Sequence, residues 1–163
     1  MKLFFAVVIS IFILIIIFSF YITRDGQIIT PVGEGTITLD TGVYENFPLP
    51  DYAAKMITEN YKSYFIEVEP GLKVHILEVG EGFPVFLMHG NPTSGFLYRK
   101  IADKLPQDKV RVIMPTSIGL GFSSKIPASQ HTLSNHIRWI NKVLNELQLN
   151  EVIYSGQDWG GPI

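Results

Sequence analysis

Five consecutive residues, Gly156-Gln157-Asp158-Trp159-Gly160, bear the most legible chemistry in this sequence. The pattern is a nucleophile one residue away from a glycine on each side. It fits a sharp strand-to-helix turn whose central side chain is strained and exposed, with glycines where a Cβ would clash. An aspartate at the centre is already a carboxylate at neutral pH, its ordinary pKa being about 3.9. It can attack a saturated carbon directly and form an ester, whereas a serine there first needs a base to take its proton. Water must then cleave the ester, and that step does need a base. The same letters also fit a glycine-rich turn with a capping aspartate, and on their own they do not separate the two.

The residues before this stretch form elements that would position it. Val152, Ile153, Tyr154 and Ser155 read as a short buried strand leading into the turn. A helix over about Thr132–Leu149 carries Leu133, Ile137, Ile140, Leu144 and Leu147 at spacings of three and four. Ahead of it lie an apolar strand, Val110–Met114, and a polar loop, Pro115–Gln130. Phe83–Met88 reads as a strand buried on both faces. It is followed by the loop His89-Gly90-Asn91-Pro92-Thr93-Ser94 and a helix capped by Thr93 or Ser94, with Leu97, Ile101 and Leu105 on one face. Ser63–Val68 and Leu72–Val79 flank the turn Glu69-Pro70-Gly71 and predict an antiparallel hairpin. A hairpin followed by alternating strands and helices predicts an α/β fold: a parallel sheet with helices on both faces and functional loops at the carboxyl ends of its strands.

Composition narrows the classes. The chain has 163 residues, room for one domain, with 13 basic and 15 acidic side chains. The basic residues are scattered, so no nucleic-acid surface is expected. There is no cysteine, which excludes disulfides, thiol nucleophiles and cysteine metal sites. Leu3–Ile22 is almost unbroken Leu, Ile, Val and Phe, long enough as a helix to cross a bilayer core of roughly 30 Å. No small-residue cleavage pattern follows it, which favours an uncleaved single-pass membrane anchor over a removed signal. The expected organisation is a transmembrane anchor over 1–24, a Gly- and Pro-bearing lead-in over 25–61, and a partial α/β domain over 62–163.

Three segments together resemble the α/β-hydrolase family, and within it the haloalkane dehalogenases: His89-Gly90-Asn91-Pro92-Thr93-Ser94, Gly119-Leu120-Gly121-Phe122-Ser123, and Gly156-Gln157-Asp158-Trp159-Gly160-Gly161. The resemblance runs from about Lys62 to the end and implies the N-terminal half of that fold. It implies Asp158 as the nucleophile that displaces halide from an alkyl carbon. It also implies the Trp159 indole and the Asn91 amide as donors to the departing halide, with backbone N–H groups of the same loops serving the oxyanion. Without the resemblance, Trp159 reads equally as a packing residue and Asn91 as a turn residue. Thr116 departs from the family, many of whose members carry an aspartate after the proline at this point.

Epoxide hydrolases resemble the chain in fold and in the Asp-Trp-Gly letters, but they typically place a bulky aromatic where Asn91 stands. The implied substrate is a small molecule, a haloalkane or an epoxide, with no cofactor and no metal. In the family the base histidine follows the nucleophile. His75, His89, His131 and His136 all precede Asp158, so none is assigned as base or as metal ligand. The acid partner and the base are thus expected outside this chain, which alone should not turn over. A non-catalytic, membrane-anchored remnant is the remaining alternative.

Overall fold

The computed structural model describes residues 2–23 and 26–163, with side-chain surroundings given for 9–19 and 26–163. The described residues form α1 (Lys2–Thr23), a single turn α2 (Asp51–Ala54), the helices α3 (Arg99–Ala102) and α4 (Leu133–Glu146), and a seven-stranded mixed sheet. The strands are β1 (Thr36–Leu39), β2 (Gly42–Asn46), β3 (Lys62–Glu69), β4 (Leu72–Val79), β5 (Phe83–Met88), β6 (Val110–Thr116) and β7 (Ile153–Gly156). Their spatial order is β1-β2-β3-β4-β6-β5-β7. The pairs from β1 through β4 to β6 are antiparallel, while β6, β5 and β7 run parallel. The expected hairpin is β3–β4, and the crossovers place β7 beside β5 at the sheet edge. Ile153 and Tyr154 on β7 are exposed.

Alternation along the strands distributes the core over both faces. Phe86 and Met88 join Ile66, Ile76, Ile113 and Trp139 on one side. Val85 and Leu87 join Leu77, Val79, Tyr98 and Met114 on the other. The first face is covered by α4 (Leu133–Glu146), where the Thr132 hydroxyl accepts the Asn135 N–H at 3.2 Å and caps the helix. Its buried stripe is Trp139, Ile140, Val143 and Leu147, so Leu133 stays exposed and the stripe is turned from the one expected.

Two expectations need correction, and a third lies partly outside the described residues. The lead-in over 25–61 is not a linker throughout: β1 and β2 form a hairpin that extends the sheet, and Ile29 bridges to Lys125. These strands are four and five residues long and turn at Asp40-Thr41, too short for a convincing alternation. The helix after β5 is a 3₁₀ turn, Gly95–Tyr98, followed by α3 (Arg99–Ala102), and neither Thr93 nor Ser94 caps it. The 3₁₀ turn buries Gly95 and Tyr98, three apart, the helix after it buries Ala102, and Leu97 and Ile101 are exposed. The expected transmembrane span over Leu3–Ile22 lies partly outside the residues whose surroundings are described. Among the described residues no helix is long and apolar enough to cross a membrane.

The sheet also buries a histidine. His75 on β4 is 1% exposed, and its ring meets Phe47, Phe65 and Phe122 with centroids 5.4, 5.9 and 5.3 Å away. Ser63 Oγ lies 3.0 Å from Nε2, and Nδ1 has no partner. Burial pushes its pKa from 6.5 down to about 3. The folded state therefore holds the ring neutral, and stability is full above the unfolded value and lost as pH falls from there toward about 3. That difference corresponds to about 2 kcal/mol lost by about pH 5. Urea melts over pH should show this acid limb, and His75→Leu should flatten it.

Candidate active site

The turn after β7 is built by close backbone contact. A Cβ on Gly156 would stand 2.2 Å from the Gly160 carbonyl oxygen, and one on Gly160 would stand 2.2 Å from that of Met88. Between them Asp158 has φ +53°, a left-handed conformation that costs a non-glycine residue roughly 1–3 kcal/mol. The turn is held by Gln157 N–H to the Met88 carbonyl at 3.1 Å and Gly160 N–H to the Gln157 carbonyl at 2.9 Å. The Tyr154 hydroxyl also donates to the Gly160 carbonyl. This is a strained strand-to-helix elbow with its central side chain presented outward, and the Asp158 carboxylate is fully exposed.

The loop after β5 meets that side chain. The Asn91 backbone N–H donates to Asp158 Oδ1 at 2.9 Å. Backbone N–H groups of Trp159 first, and of Asn91 second, hold the carboxyl below the usual carboxylate range. Two main-chain donors thus converge on one carboxylate and favour its ionised form. If Asp158 were esterified, the same donors would face the ester carbonyl and the charge that builds on it. Asn91 and Trp159 both line a cleft of about 460 Å³, and the Trp159 ring is half exposed.

His89, the first residue of that loop, has a role that the sequence did not specify beyond shaping the loop. It is buried, Nδ1 lies 2.7 Å from the Gly90 carbonyl, and Nε2 accepts the Ser117 backbone N–H at 2.9 Å. This arrangement requires the Nδ1–H tautomer and ties the loop after β5 to the loop after β6. Burial pushes the His89 pKa down, which suits a ring that must keep Nε2 as an acceptor.

Thr116, where the sequence departs from the family pattern, organises the same region. Its hydroxyl accepts the Gly95 N–H at 3.1 Å, and its carbonyl accepts the Ser123 hydroxyl at 2.6 Å. Ser123 Oγ in turn accepts the His75 N–H at 2.9 Å. Serines gave little signal in the sequence because their work is to satisfy backbone groups. His131 and His136 also line the cleft, which their helical spacing alone did not show. Among the described residues no histidine bonds to Asp158, and no cluster of three or more His, Cys, Asp or Glu is placed to hold a metal ion.

Known proteins are similar to this chain. Residues 84–163 match the family model of the alpha/beta hydrolase fold. Haloalkane dehalogenase 2 of Mycobacterium tuberculosis is 38% identical over 91 residues, covering 56% of this chain and 32% of the relative. A haloalkane dehalogenase of Psychrobacter cryohalolentis is 38% identical over 123 residues, covering 71% and 38%. The crystal structure of the haloalkane dehalogenase DatA from Agrobacterium tumefaciens superposes with TM-score 0.59 at 35% identity, covering 68% of this chain and 36% of that one. The epoxide hydrolase VrEH1 from Vigna radiata superposes with TM-score 0.57 at 28% identity, covering 63% and 32%. The chain therefore spans about a third of the length of these relatives. Together with the elbow and the loop that faces it, these matches show an α/β-hydrolase fold and a resemblance to the haloalkane dehalogenases over the part the chain shares with them.

Proposed function

We propose that this chain carries the nucleophile and the leaving-group site of a haloalkane dehalogenase-like hydrolase. The observation that carries this reading is the Asp158 carboxylate on its left-handed elbow, bonded by the Asn91 N–H beside a cleft lined by Asn91 and Trp159. In the first step Asp158 attacks the alkyl carbon in line, the carbon–halogen bond breaks, and the halide leaves with the bonding pair. The Trp159 indole N–H and the Asn91 side-chain amide donate to the halide as its charge develops. In the second step water adds to the ester carbonyl, whose oxygen is held by the backbone N–H groups of Asn91 and Trp159.

That second step needs a base. His75 is enclosed by aromatic rings, and both ring nitrogens of His89 are committed. His131 and His136 are bonded to each other. With these histidines alone the reaction stalls at the ester. An epoxide-opening reading shares the nucleophile and is represented among the structural relatives, whereas the Asn91 side chain favours halide. One preparation treated in parallel with 1-bromobutane and with 1,2-epoxybutane separates them. The expected result is a halide burst stoichiometric with protein. An ester formed from the epoxide with no halide release would overturn the dehalogenase assignment and leave Asp158 as nucleophile. No adduct from either compound would favour a non-catalytic role.

The apolar run Leu3–Ile22 supports a further part of the proposal, a single-pass membrane anchor at the N-terminus. The protein is then expected in the membrane pellet after carbonate washing. A soluble product beginning after Ile22 would show a cleaved signal instead.

A further inference from the structure

Two histidines unused by this reaction line the same cleft as Asn91 and Trp159. His131 precedes the cap of α4 and His136 lies in its first turns, which brings His136 Nε2 within 3.4 Å of His131 Nδ1. The ring centroids are 5.5 Å apart. At this separation one nitrogen presents its proton to the lone pair of the other, so the rings can share one proton. Both rings are seated. A Cβ on Gly119 would stand 2.2 Å from His131 Cε1, so the ring rests on bare backbone, and His136 meets the Trp139 ring edge-on at 5.2 Å.

The charged groups around the pair do not neutralise an added proton. On the loop after β5 is His89, whose two ring nitrogens are committed to the Gly90 carbonyl and the Ser117 N–H. On the loop after β6 is Lys125, whose ammonium is bonded to the Gly121 and Ser123 carbonyls. On α4 itself is Arg138, paired with Glu69. On the elbow is Asp158, held by the Asn91 and Trp159 amides. Burial first of all pushes the His136 pKa down, which favours its neutral ring. An anion placed against it reverses that preference and takes up a proton.

We infer that His131 and His136 form an anion-recognising subsite, and that the cleft takes halogenated substrates bearing a carboxylate away from the carbon–halogen bond. A cleft of about 460 Å³ suits a small bifunctional molecule. Asn91 and Trp159 would take the halogen end, Ile118 and Leu120 offer apolar wall, and the histidine pair takes the carboxylate. The halogen end rests on the reading of Asp158 as nucleophile, while the subsite stands on the histidine geometry.

Binding of butyrate to the full chain, followed by histidine ring NMR shifts, tests the subsite without chemistry. Because each carboxylate brings a proton onto the pair, butyrate affinity should fall as pH rises, by up to about tenfold per pH unit, in a series from about pH 5.5 to about pH 8. Butanol, of the same length and uncharged, should show no such dependence. His131→Gln and, separately, His136→Gln should each remove the pH dependence; His131 is exposed, so its variant is the one least exposed to a folding defect. Butyrate affinity that ignores pH, or that both variants leave unchanged, would overturn the inference. Ester formation on Asp158 together with that negative result would discard the subsite alone. The pH-linked binding of butyrate without any ester would discard the nucleophile and retain the subsite.

Discussion

Glu78→Leu is expected to destabilise the fold by about 3–5 kcal/mol, because it leaves a buried guanidinium without its counter-charge. Glu78 is 1% exposed, and its carboxylate accepts from the Tyr64 hydroxyl at 2.6 Å and from Arg111 at 2.8 Å. Arg111 is largely buried, whereas Lys62, 3.6 Å from the other carboxylate oxygen, is exposed and adds little. The loss of an acceptor for the fully buried Tyr64 hydroxyl acts in the same direction. Removing both charges is a different matter: Glu78→Leu with Arg111→Met should recover most of the loss, since a buried pair is worth little more than apolar packing of equal volume. Urea unfolding of the two single variants and the double variant checks this. A single-variant loss under about 1 kcal/mol would show that water reaches the pair.

The second large effect concerns the leaving group. Asn91→Ala removes the side-chain amide but keeps the backbone N–H that holds Asp158, so the two contributions of Asn91 separate. Donors aimed at developing charge in comparable oxyanion sites are worth roughly 3–4 kcal/mol. A halide spreads its charge over a larger volume than an alkoxide, so about 2 kcal/mol is expected here, a slowing of halide release by about 30-fold. Trp159→Phe, which keeps the ring and removes the indole N–H, should slow it comparably. If the Asn91 amide stands at the halide position and away from an epoxide oxygen, Asn91→Ala should slow halide release and leave ester formation from an epoxide little changed. Single-turnover halide release, with ester formation from an epoxide as the control, measures both.

The parts legible in the sequence are those with long or chemically specific signals. β4 and β5 have the bounds read from their apolar runs, and the elbow was readable because glycine, nucleophile and glycine have a steric reason to stand together. β1 and β2 were not legible: strands this short have too few alternating positions to stand out from a Gly- and Pro-bearing stretch. The segment after β5 was misread because a 3₁₀ turn precedes a short helix there, and the buried positions are Tyr98 and Ala102 in place of Leu97 and Ile101. Within the site, the Asn91 N–H bonds Asp158, and Asn91 and Trp159 line one cleft. The His89 bridge to Ser117 and the His131–His136 contact depend on loops meeting in space, and no spacing along the chain encodes that.

The most direct test of the central claim is the mass of the protein after exposure to a haloalkane, followed by peptide mapping. Attack by Asp158 predicts a mass gain equal to the alkyl group less one hydrogen, located on the peptide that contains Asp158, with halide released in step. The gain should be absent in Asp158→Ala. An alkyl group found on another residue, or one that persists on the same peptide in Asp158→Ala, would contradict the assignment of Asp158 as the nucleophile.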